Sequence, residues 1–122
     1  MLTRGGSPCH LSLDEGNGIL HVANYGGGSY IAYLVDKNNG IIMEELYFED
    51  YGKGSNVNPD RQADAHAHMA FFFKHFIYVV DLGSDKIHHY RVSFSNIFCH
   101  RNVAIKPHHL YKDSYGFSTV LM

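Results

Sequence analysis

A chain of 122 residues, 45% apolar and 18% charged, has the size of one globular domain or a piece of a larger one. Its net charge of -2 offers no basic stripe for nucleic acid, and no apolar run approaches the ~20 residues that a membrane-crossing helix needs. The opening Met1-Leu2-Thr3-Arg4-Gly5-Gly6 lacks the apolar centre of a signal peptide.

Cys9 and Cys99 are too few and too far apart for a disulfide framework. The expectation is a cytosolic, reducing setting, with both cysteines as small buried apolar residues. Ten histidines stand out more, because they titrate at slightly acid pH.

In chain order, residues 9–13 alternate and run into the turn sequence Asp14-Glu15-Gly16-Asn17-Gly18. Residues 19–24 read as a short apolar strand closed by Tyr25-Gly26-Gly27-Gly28, and residues 29–35 carry the Tyr and Ile that strands favour. Asp36-Lys37-Asn38-Asn39-Gly40 is a second hairpin signal. Residues 41–48 complete a set of four strands, the content of one propeller blade. A polar loop over about 49–65 follows, and connections of that length are usually functional or disordered. Strand character resumes over 66–73, 76–80 and 85–92, the last two separated by Asp81-Leu82-Gly83-Ser84. Residues 93–100 suit one more strand, whereas 101–122 show no alternation and no helix is signalled anywhere.

The two halves repeat. Leu20-His21-Val22-Ala23-Asn24-Tyr25-Gly26 aligns with Ile77-Tyr78-Val79-Val80-Asp81-Leu82-Gly83, and His10 corresponds approximately to His68 across a shorter connection. The expected fold class is all-β: a partial β-propeller of about two four-stranded antiparallel blades, at about 9–48 and 66–100, within a unit over 1–92, then a divergent tail over 101–122.

Chemistry concentrates in Val57-Asn58-Pro59-Asp60-Arg61-Gln62-Ala63-Asp64-Ala65-His66-Ala67-His68. On a strand, side chains two apart share a face, so His66 and His68 are expected to project together, with Asp64 and Arg61 in the loop before them. A histidine near neutral pH accepts a proton from water. A guanidinium holds a phosphate or carboxylate, or stabilises an oxyanion.

Four ordered motifs carry a family resemblance: Gly6-Ser7-Pro8-Cys9-His10-Leu11; Val22-Ala23-Asn24-Tyr25-Gly26-Gly27-Gly28-Ser29; Asn58-Pro59-Asp60-Arg61-Gln62 with His66-Ala67-His68; and Asp81-Leu82-Gly83-Ser84-Asp85. Over about residues 3–92 the chain resembles the seven-bladed β-propeller lactonases, the family of 6-phosphogluconolactonase and of the carboxy-muconate cyclase type. The resemblance implies hydrolysis of 6-phospho-glucono-1,5-lactone to 6-phosphogluconate in the pentose phosphate pathway, with no metal or cofactor. It also implies a propeller much longer than this chain, with His10 and His68 near the central channel. The acidic and second arginine positions of the cyclase-type site fall on blades this sequence does not contain.

On that basis His66 or His68 is the expected base, with Arg61 as anion binder and catalytic partner. Asp64 is expected to orient a histidine through its ring N–H, and His10 and Asp64 to line the substrate site with Arg61. Asn24, Asp81 and Gly26–Gly28 are expected as turn formers, and Tyr25 as packing between blades. The expected partner is a small sugar lactone, with no nucleic acid and no membrane. Two other readings stand beside this one. A non-catalytic propeller remnant or interaction module would self-associate through exposed blade faces. A metal-binding β-domain would use Asp64, His66 and His68. The adjacent pairs His88-His89 and His108-His109 face opposite sides of a strand and chelate poorly.

Overall fold

A computed structural model describes residues 2–93 and 96–104. Its eight strands are β1 Pro8–Asp14, β2 Ile19–Asn24, β3 Ser29–Val35, β4 Ile42–Asp50, β5 Ala67–Phe73, β6 Phe76–Asp81, β7 Lys86–Ser93 and β8 Asn96–Ala104. They form two four-stranded antiparallel meanders, ordered β1-β2-β3-β4 and β5-β6-β7-β8. These are the two blades expected. Several strand ends differ, among them three that matter here: β4 takes in Glu49 and Asp50, β5 begins one residue after His66, and β8 runs into the segment expected as tail. The rest of that tail, with His108-His109, lies outside the described residues. No described helix is long and apolar enough to cross a membrane.

The repeat extends to the hydrogen-bond register. Ile19 pairs with Leu34 and Asn24 with Ser29 in the first blade, as Phe76 pairs with Arg91 and Asp81 with Lys86 in the second. The first strand of each sheet, β1 and β5, carries a register shift at the same place, between Pro8 and His10 and between Ala67 and Met69. The extra residue is Cys9 in one blade and His68 in the other. The structural counterpart of His10 is therefore Met69, one residue away from the expected His68. The turns differ by two residues, Glu15-Gly16-Asn17-Gly18 joining β1 to β2 and Lys74-His75 joining β5 to β6, so the spacing of 57 between Leu20 and Ile77 becomes 59 between His10 and Met69.

Strand alternation gives each sheet an inner face. Ile19, Ala23, Tyr30 and Ala32 of the first pack against Ala67, Ala70, Ile77, Val79, Tyr90 and Val92 of the second. The rings of Tyr30 and Tyr90 lie 4.9 Å apart at its centre. Trimming one of these fully buried side chains, such as Ile77 to Ala, costs about 2–5 kcal/mol through lost transfer energy and the cavity left. On the outer faces, Leu11 (61% exposed), Leu13 (51%), Phe71 (46%) and Phe73 (52%) remain open.

The loop between the blades is built rather than loose. Gln62 is fully buried; its side-chain amide donates to the Leu82 carbonyl and to Asp85, both at 2.8 Å, and its Oε1 accepts from Asn58 N–H at 2.8 Å. Asp85 also accepts from Ser55 Oγ at 2.6 Å. A β-bridge between Lys53 and Asp64 closes the loop at its base.

Candidate active site

The end of this loop, Ala65-His66, threads between two turns, β2–β3 and β6–β7. The approach is so close that a side chain is excluded on both sides. A Cβ on Gly28, whose φ is +61°, would lie 2.8 Å from the Ala65 carbonyl carbon. One on Gly83 would lie 2.7 Å from Ala65 Cα and 2.8 Å from His66 N.

Three hydrogen bonds hold His66. Its backbone N–H donates to Asp81 Oδ1 at 2.8 Å, its carbonyl accepts from Leu82 N–H at 3.0 Å, and its Nδ1 lies 2.9 Å from the Tyr25 carbonyl. The Asp81 bond takes the N–H that a longer β5 would have used. His66 therefore stands just ahead of the strand, and it does not share a regular strand face with His68. The two histidines meet at Tyr25 instead. Its ring stacks on His66 (4.6 Å between centroids, 19° between planes), while His68 approaches it edge-on at 5.9 Å. Tyr25 is also packed with Met69 against Val80 and Leu82, the inter-blade packing expected of it.

His10 joins this cluster from β1, where its Nδ1 accepts from Ala70 N–H at 3.3 Å across the blade boundary. Partial burial, and then the nearby His10, hold His68 below the ordinary histidine range. Cys9 is exposed rather than buried, because it occupies the bulge; its thiol donates to the His68 carbonyl at 3.2 Å. The residue as a whole is exposed, but its sulfur is partly desolvated against the Ala67 and His68 carbonyls, and that raises its pKa.

Asp64 is held at the base of the loop and Arg61 on its surface. The Asp64 carboxylate pairs with Lys53 Nζ at 2.9 Å, and that hydrogen bond holds it below the ordinary carboxylate range. The orienting partner of His66 is thus the Tyr25 carbonyl, not Asp64. Arg61 is exposed on the loop beside buried Gln62. Among the described residues no three His, Cys, Asp or Glu side chains converge to hold a metal.

Asp81 organises the site from behind, as more than a turn former. Its Oδ1 accepts from the N–H groups of His66, Gly83 (2.9 Å) and Ser84 (3.2 Å), and its Oδ2 from Ser84 Oγ and, at 3.3 Å, from His88 Nε2. Burial pushes its pKa up, but the bonds from His88, Ser84 and the His66 N–H outweigh that and leave it below the ordinary range. His88 stacks flat on Tyr51 at 3.6 Å, and Tyr51 Oη lies 2.7 Å from Tyr90 Oη, which donates to Glu49. A polar chain thus crosses the inter-blade core and ends at the backbone of His66. Sequence reasoning missed Gln62, and assigned Tyr25 and Asp81 only packing and turn roles. The available signal was positional: Tyr25 and Leu82 are equivalent in the repeat, as are Asn24 and Asp81.

Comparison with known proteins agrees with this architecture. The family described as lactonase, seven-bladed β-propeller, matches residues 1–108. The 6-phosphogluconolactonase of Bacillus subtilis (strain 168) is 34% identical over 93 residues, 75% of this chain and 26% of that protein. The 6-phosphogluconolactonase of Formosa agariphila is 29% identical over 104 residues, 84% of this chain and 28% of that protein. Among solved structures, the periplasmic gluconolactonase of Pseudomonas aeruginosa superposes with a TM-score of 0.75 at 25% identity, over 86% of this chain and 31% of that one. The chain spans about a quarter of the length of these curated relatives.

Proposed function

Because the chain belongs to the seven-bladed β-propeller lactonase family, we propose that its histidine cluster is part of a site hydrolysing a sugar lactone, 6-phospho-glucono-1,5-lactone, to 6-phosphogluconate. The observation that carries this reading is the convergence of His66 and His68 on Tyr25, with His10 alongside, where β1 meets β5. His66 or His68 takes a proton from the attacking water. Arg61, exposed on the loop that delivers His66, is the cation offered to the substrate's anionic group. Asp64, tied to Lys53, holds the base of that loop. No metal or cofactor is required for this chemistry. The pathway is the pentose phosphate pathway and the setting the cytosol, although the Pseudomonas relative is named as periplasmic.

Binding tests the proposal. Titrating 6-phosphogluconate into isotope-labelled chain should shift the NMR signals of His10, His66 and His68, and Arg61→Ala should weaken the effect at least tenfold. Shifts confined to other residues would count against the site.

A second reading draws on the open apolar side chains. Leu11 and Leu13 lie on the outer side of one sheet, and Phe71 and Phe73, stacked at 6.2 Å, on that of the other. We propose that these faces associate with a second copy of the chain. A Phe71→Lys, Phe73→Lys double variant should then elute later than the parent from size-exclusion chromatography at matched concentration. Identical monomeric elution of both would remove this reading.

A further inference from the structure

We infer that Tyr25 is the positioning residue of the site, and that backbone partners set opposite tautomers on two of its histidines, leaving His66 Nε2 as a proton acceptor and His10 Nε2–H as a hydrogen-bond donor. A carbonyl oxygen can only accept, so the contact between His66 Nδ1 and the Tyr25 carbonyl places the proton of the neutral ring on Nδ1. The lone pair is then on Nε2. A backbone N–H can only donate, so the contact from Ala70 N–H to His10 Nδ1 places the lone pair of that ring on Nδ1 and its proton on Nε2.

The two histidines differ because their partners differ. Tyr25 lies in the turn after β2 and offers a carbonyl. Ala70 lies within β5, where its N–H points across the blade boundary to β1. The Tyr25 ring adds what its carbonyl cannot. Stacked on His66 and touched edge-on by His68, it fixes the plane of the first ring and spaces the second. Because the backbone of His66 is held at N–H and carbonyl, the ring has little freedom except about its own side-chain torsions.

The catalytic use of this pair rests on the lactone-hydrolase reading. Water attacks the carbonyl carbon, and His66 Nε2 takes one of its protons as the new C–O bond forms. The carbonyl electrons move onto oxygen, which His10 Nε2–H stabilises. Collapse restores the carbonyl and breaks the ring C–O bond, and the departing ring oxygen takes the proton back from His66. The product is the open hydroxy acid, which ionises.

The test is long-range proton–nitrogen correlation NMR on histidine-labelled chain, above the histidine titration range. His66 is expected with a protonated Nδ1 and His10 with a protonated Nε2. Tyr25→Ala keeps the carbonyl but removes the stacked ring that holds His66 against it, and should turn His66 into a mixture of tautomers; Tyr25→Phe, which keeps a ring, should retain the single one. If the chain turns over lactone, Tyr25→Ala should lower kcat about tenfold with little change in KM. The same tautomer on both rings, or a protonated Nε2 on His66, would overturn the inference even with turnover intact. Only background hydrolysis, with the tautomers as assigned, would remove the hydrolase reading and leave the assignment standing.

Discussion

The carboxylate of Asp81 accepts the backbone N–H of His66 at 2.8 Å, so a buried acid in the second blade fixes where the loop delivers a histidine. Asp81 is 1% exposed and also receives bonds from Gly83, Ser84 and His88. Asp81→Ala leaves those donors buried and unpaired and should lower unfolding stability by about 3 kcal/mol in urea titration. Because its folded pKa is depressed, the stability Asp81 contributes is present above its unfolded value of 3.8 and is lost as pH falls through the lower folded value. Acid unfolding of the parent below that point should be steeper than that of Asp81→Asn.

His21 should dominate the pH dependence at milder acidity. It is fully buried between Tyr30 and Phe72, and burial drives its pKa from 6.5 down to about 4 against a weaker pull from Asp14. Above 6.5 both folded and unfolded forms are neutral and stability does not depend on pH through this residue. Between that value and about 4 only the unfolded chain takes the proton, so stability falls with pH by up to about 3 kcal/mol in total. His21→Phe should flatten this slope. It should also lose about 1 kcal/mol at neutral pH through the bond to Tyr30 Oη, now 2.8 Å long. Melting temperature followed across this range checks both effects.

Gly83→Ala should displace the site rather than merely loosen it. The added methyl would fall within 2.7 Å of Ala65 Cα, a backbone atom that cannot rotate away. Overpacking of this kind costs about 1–3 kcal/mol. The diagnostic readout is the NMR signal of His66, which should move, whereas that of buried His21 should not.

Gln62→Ala should free the loop. It removes two donated bonds and one accepted bond from a fully buried side chain. Amide exchange over residues 53–64 should accelerate at least tenfold while the strands keep their protection.

Strand pattern exposed most of the fold in the sequence, because alternation and turn chemistry act locally. β2 and β3 fall where residues 19–24 and 29–35 predict them, and the pairing of the repeat is the one that Leu20 and Ile77 suggest. Tertiary effects were hidden. Nothing in the residues around Cys9 or His68 announces a bulge, which depends on how β1 and β5 meet their partners. His66 reads as strand until Asp81, distant in sequence, takes its N–H. Asp64 suits a histidine partner by spacing, but Lys53 reaches it first across the loop. Gln62 looks like one more polar loop residue until Asp85 and Leu82 are seen to enclose it.

Hydrolysis itself is the most direct test of the central claim, that this histidine cluster serves lactone chemistry. Purified, folded chain should open 6-phospho-glucono-1,5-lactone faster than the spontaneous reaction in the same buffer. His66→Ala should lower the enzymatic excess by about a hundredfold without unfolding the chain. A rate equal to the spontaneous one from cooperatively folded chain, or an excess that survives loss of both His66 and His68, would contradict it.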